Sequence, residues 1–146
     1  LFLVSRFNLM LEALPERPSP DRLRADLALA RPAGFRSDRQ QQILGIYLWL
    51  LGRTDEAVAI WHRLADAGAE NLDSVLAALA MTDRLRPEDA RRLRERLSAG
   101  PAAVLVVAAV AAGMHEALPP EVDPTAPRWR EQAERLRLLF RPGPTG

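Results

Sequence analysis

Proline and glycine divide this chain into eight stretches of helix length, and that punctuation limits the fold more than any other feature. The stretches are 1–14, 21–31, 38–51, 54–67, 72–84, 87–98, 101–118 and 128–140. They stop at Pro15 and Pro18, Pro32 and Gly34, Gly52, Gly68, Pro87, Gly100, Pro119–Pro120, and Pro142–Gly143–Pro144. Within them apolar residues recur at helical spacing, as in Leu23, Leu27 and Ala30, or Trp129, Ala133, Leu136 and Phe140. No stretch alternates polar and apolar residues over strand length, and no Asn-Gly or Asp-Gly joins two β-rich runs. The run VLVV at 104–107 lies in an Ala-rich stretch too long for an ordinary strand. The sequence predicts an all-α, antiparallel array of helical hairpins in one domain.

Composition agrees. Ala and Leu, which lose least entropy on entering a helix, are abundant, while aromatic residues make up 5% of the chain. With no cysteine, a disulfide framework and a thiolate metal site are both excluded. The net charge is +1, and every basic residue is arginine, a usage expected of a GC-rich, bacterial genome. The richest basic run, Arg84–Leu97, is interleaved with Asp83, Glu88, Asp89 and Glu95. It reads as a solvated helix with Glu88/Arg92 and Arg91/Glu95 pairs, not as a nucleic-acid surface. The chain opens on Leu1, which reads as the start of a fragment or processed product. The opening apolar stretch is interrupted by Arg6, Asn8 and Glu12, so it is expected to pack as a first helix. The uncharged run from Leu97 to His115 is largely alanine and is expected to be a core helix, with membrane contact a residual reading.

One segment carries a family resemblance. Leu44-Gly45, Gly52, Thr54-Asp55-Glu56-Ala57, Trp61 and Leu64 resemble a tetratricopeptide repeat over residues 38–71. Ala90, Leu93 and Leu97 follow Ala57, Ile60 and Leu64 by 33 residues, and Ala78 follows Gly45 by the same interval, which makes 71–100 a looser copy. Gln41, Leu48, Leu64 and Ala69 depart from the family pattern. The resemblance implies a helical solenoid with 1–37 and 101–140 as divergent hairpins or caps and 141–146 as a tail. It also implies that the first helix of the pair lines a groove. The groove positions would be Arg39, Gln42, Ile46, Trp49 and Leu50, binding an apolar or amphipathic segment of another protein with Trp49 as anchor.

The residues alone leave a second reading of 43–51 (ILGIYLWLL) open. A helix apolar on nearly every side is also what a central core helix looks like. Thr54 is expected to cap the second helix, and His62 to sit favourably near its C-terminal end. His115 and Glu116 are adjacent and do not form a metal pair, and neither a phosphate-cradling glycine loop nor a nucleophile elbow is present. No cofactor, metal or catalytic group is expected. The functional expectation is a protein-interaction module that scaffolds or chaperones a partner. Its rivals are an accessory segment of a larger membrane or enzyme complex and an effector-binding domain of a regulator, with a small ligand held between helices near Trp49 and Trp61.

Overall fold

The structure, a computed structural model, describes residues 2–31, 35–100 and 102–141, and it is all-helical. Among the described residues eight α-helices follow one another: α1 (Phe2–Ala13), α2 (Pro20–Ala30), α3 (Asp38–Leu50), α4 (Thr54–Asp66), α5 (Leu72–Met81), α6 (Pro87–Ser98), α7 (Ala103–Ala111) and α8 (Pro127–Phe140). A single 3-10 turn, His115–Ala117, lies between α7 and α8. There is no strand among the described residues. Leu1, Pro32–Gly34, Pro101 and the tail 142–146 lie outside them, and with them the expected stops at Pro32, Gly34 and Pro142–Pro144.

Several helices start where the sequence supplies a partner for the first free N–H groups. Ser19 accepts from the Arg22 amide at 3.2 Å, with Pro20 opening α2. Ser37 and Gln40 exchange bonds of 3.0 and 3.1 Å in a full capping box at the head of α3. At α4 the expectation fails. The capping position falls to Arg53, and Thr54 lies inside the helix with no capping bond.

Four helices end in the same reverse turn. The residue after the left-handed position donates to the carbonyl five residues back, at 2.8 Å for Arg53 to Leu48, 3.1 Å for Ala69 to Leu64, 2.9 Å for Arg84 to Leu79 and 2.8 Å for Met114 to Ala109. Three of the left-handed residues are glycine. The fourth is Asp83 (φ 56), a residue whose short polar side chain tolerates that conformation. Asp83 and Gly113 shorten two helices relative to the sequence reading. α5 ends at Met81 rather than at residue 84, and α7 at Ala111 rather than at residue 118.

α5 is the wall between two apolar clusters. Its Val75, Ala78 and Leu79 face a cluster built with α1 to α4 around Tyr47 and Trp61. Its Leu76 faces a second one, made with Leu93 and Leu97 of α6 and with Leu105, Val106 and Val110 of α7. α4 packs against α3 through Ala57, Ile60, Trp61 and Leu64, all buried, as expected from the sequence. Trp61 lies directly over Gly45. A Cβ at that position would come within 2.8 Å of the indole Cε2. Gly45 therefore sets how closely α3 and α4 approach.

One buried carboxylate ties the first three helices. Asp26 of α2, 3% exposed, accepts from the Tyr47 hydroxyl of α3 at 2.9 Å and from Arg6 Nε of α1 at 3.1 Å. Burial, followed by the hydrogen bond to Asp26, pushes the Tyr47 phenol well above its ordinary pKa.

Candidate interaction face

The five positions picked from the sequence do not share one environment. Arg39 is exposed, Trp49 and Leu50 are half-buried, and Gln42 (7% exposed) and Ile46 (2%) lie in the core. The physical reason is the approach of α4. With no side chain at Gly45, the Trp61 ring fills the space beside α3, and its Nε1 donates to the Gln42 carbonyl at 3.3 Å. Gln42 and Ile46 thus act as core residues, and α3 is the buried central helix that its all-round apolar sequence also allowed. Arg39, Trp49 and Leu50 remain at the edge.

Trp49 is engaged from the far end of the chain. Its Nε1 donates to the Phe140 carbonyl at 2.9 Å, and its ring lies 6.4 Å from that of Trp61. The Phe140 ring meets Trp61 edge-on at 6.3 Å, a favoured geometry for aromatic pairs. The two indoles therefore pack on each other, and Phe140 meets both, Trp61 through its ring and Trp49 through its carbonyl.

Phe140 is the end of α8, and α8 lies across several other helices. It packs most extensively on α7 and also touches α5 and α3. Ala133 enters the second apolar cluster, while Leu139 and Phe140 enter the first, so α8 bridges both. Its polar face reaches for helix ends. Arg135 donates to the Leu11 carbonyl at 2.8 Å, and Arg137 to the carbonyls of Ala111 and Val110 at 3.1 and 3.3 Å. These carbonyls lie in the last turns of α1 and α7, where the helical ladder runs out and a cation meets the negative end of the helix dipole. The sequence showed the stripe on α8 but not its seat.

The other polar constellation joins α4 to α6. Asp89, fully buried, accepts from the Arg86 amide at 3.0 Å, from Arg86 Nε at 2.8 Å and from Arg92 at 3.0 Å. Arg86 also holds Asp66 of α4 through two bonds of 3.1 and 2.7 Å. Burial pulls the Asp89 carboxyl upward, but the Arg86 side chain and amide outweigh it and hold it below the usual carboxylate range. The Arg86 hydrogen bonds likewise hold Asp66 low. Arg92 turns to Asp89 and to Asp66, at 3.6 Å, where the sequence suggested Glu88.

His62 Nε2 lies 2.9 Å from the Arg84 carbonyl, which can only accept, so this nitrogen carries the proton. The ring thus binds the segment after α5 instead of serving the end of its own helix. His115 is exposed beside the loop before α8. Among the described residues no group of three acidic or histidine side chains could hold a metal ion, and no helix is long and apolar enough to cross a membrane. Compared with known proteins, the chain matches no family model, no curated protein and no solved structure.

Proposed function

We propose that this chain is a protein–protein interaction module of tetratricopeptide-like build, which holds an amphipathic helix across α3, α5 and α7. One observation carries the reading. An amphipathic helix, α8, already lies there with its aromatic end against Trp49 and Trp61. A face that accommodates one such helix has the shape and apolar lining for helix-in-groove recognition. The 33-residue offset supports the repeat build, since Gly45 and Ala78 are both buried and Arg53 and Arg86 both stand at helix N-caps.

A second reading, an accessory segment packed permanently on a larger assembly, is favoured by a different surface. Phe2 (40% exposed), Leu9 (48%) and Leu29 (68%) present large apolar groups on α1 and α2. A photo-crosslinking phenylalanine derivative, placed at Trp49 or at Leu29 in the cell of origin, separates the two. A discrete adduct from position 49 is the expected result. Adducts from position 29 alone favour the accessory segment, and none from position 49 in a folded chain overturns the first reading.

A further inference from the structure

We infer that the cleft between α2 and the turn joining α3 to α4 docks an acidic segment of a partner protein, with carboxylates on its arginines and an apolar side chain between them. This rests on the interaction reading above and deepens it with a second contact of stated chemistry, one that does not use Trp49.

The cleft, about 340 Å³, is lined by Arg24, Leu27, Ala28 and Arg31 from α2 and its end, and by Leu51 and Arg53 from the turn. Three arginines thus surround a small apolar floor, and no acidic side chain is among the described lining residues. A concave surface of one charge sign concentrates ligands of the other. Elsewhere the arginines tie elements together, as Arg6 does to Asp26, Arg96 to Asp73, and Arg135 and Arg137 to helix ends. Among the described residues Arg24 and Arg53 pair only along their own helices, with Asp21 at 3.3 Å and Glu56 at 2.5 Å, and both pairs stand in solvent. Such pairs contribute little to stability, and a guanidinium with five N–H donors can take a further carboxylate.

The chain itself shows what an arginine at this place holds. Arg86 follows Arg53 by 33 residues, and both stand at helix N-caps with an acidic partner three positions on, Asp89 and Glu56. Arg86 grips the Asp66 carboxylate of α4, two helices earlier, through bonds of 3.1 and 2.7 Å, the forked geometry that suits a carboxylate. The sequence has Ala33 at the same interval before Asp66, and the helix two before α4 is α2, which brings Arg24 and Arg31 to the cleft. The carboxylate that Arg86 receives from within the chain is one that Arg53 takes from outside.

Spacing gives the pattern of the segment. Arg24 and Arg31 are two helical turns apart, about 10 Å at 1.5 Å per residue. An extended segment with acidic residues four apart spans about 13 Å and turns the residue midway between them to the same side. Flexible arginine side chains cover the difference. An aliphatic residue at the midpoint meets Leu27 and Leu51, both half-buried, while Arg53 approaches from the other wall.

The test titrates the nitrogen-15-labelled full chain with the end-capped peptide GESLSEG, read by NMR at backbone amides and arginine Nε–H groups. Saturable shifts are expected at Arg24, Arg31 and Arg53 and around Leu27 and Leu51, weakening in about 0.5 M salt. Arg53→Gln and Arg24→Gln, the latter at an exposed residue that leaves the fold intact, should each weaken binding about two- to fivefold, as for one solvent-facing charge pair. Arg91→Gln, on the exposed face of α6, should leave binding unchanged. No shift at these arginines in the folded chain overturns the inference. So does equal binding of inorganic phosphate or of the peptide with glutamine for both glutamates, or an equal loss from Arg91→Gln. Tighter binding of an RNA decamer at the same signals overturns it in favour of nucleic acid. A null titration leaves a crosslink from position 49 standing, and a missing crosslink leaves the titration standing, so the two readings fail separately.

Discussion

Replacing Gly45 with alanine tests the α3–α4 packing by the sign of its effect. In a solvated helix interior, glycine to alanine stabilises by about 1 kcal/mol through helix propensity. Here the new methyl would lie 2.8 Å from Trp61 Cε2 and 3.1 Å from Cδ1, and closer still to Nε1. The indole has little room to retreat. It is fully buried, bonded to the Gln42 carbonyl and flanked by the rings of Trp49 and Phe140. Overpacking of such a site costs about 1–3 kcal/mol, and a contact this short on a rigid ring belongs at the upper end. After the propensity gain, the net loss is about 1–2 kcal/mol. With a urea slope of about 2 kcal/mol/M, the midpoint falls by roughly 0.5–1 M. Leucine at the same site should cost more. Combining Gly45→Ala with Trp61→Phe, which removes the indole nitrogen from the clash, should recover part of the loss as a coupling of about 0.5 kcal/mol or more. A raised midpoint for Gly45→Ala alone would refute the packing.

Tyr47 is the chain's one tyrosine, so its ionisation can be followed without overlap from a second phenol. Its folded pKa is raised, so the stabilisation is complete below the unfolded value of about 10 and declines as pH rises above it; phenolate absorbance should appear together with unfolding. Tyr47→Phe removes the bond to the Asp26 carboxylate and should cost about 1.5–3 kcal/mol by denaturation, with an unchanged midpoint as the contrary result. Asp89 has the opposite sign. Its lowered folded pKa gives stability that is present above about pH 4 and lost as pH falls further. Asp89→Asn should therefore cost about 1.5–3 kcal/mol near neutrality, with the gap to the parent chain narrowing in acid; a gap independent of pH would count against the network. Trp49→Phe loses the bond to Phe140 and should raise amide exchange over α8 more than over α5, which hydrogen exchange reads directly.

The eight helices were legible because proline and glycine mark chain reversals by local chemistry alone. Two helices, α5 and α7, end earlier than that punctuation implies, for local reasons as well. Asp83 supplies a left-handed stop usually marked by glycine, and Gly113 sits just after an alanine-rich run that masks it. The candidate interaction face was only partly legible. Helical spacing places Gln42, Ile46 and Trp49 near one another on α3, yet the depth to which each sinks depends on Trp61 closing over Gly45. Likewise, spacing along α6 suggested Glu88/Arg92, but contact with α4 brings Asp66 near Arg92 and buries Asp89. Position 49 and position 140 meet across 91 residues, and no local pattern encodes that meeting.

That long contact also sets a schedule during synthesis. α3, α5 and α7 leave the ribosome before α8, and the groups α8 will cover have no cover of their own until Phe140 follows. Contacts between distant residues carry a loop-closure cost and form late. For that interval the nascent chain offers Trp49 and the apolar clusters on either side of α5 to whatever is near. Until α8 arrives, Trp49 lacks its bond to the Phe140 carbonyl, and both clusters lack the residues that α8 supplies. For this fold, the order of synthesis therefore makes the closing of both clusters one of the later steps of folding.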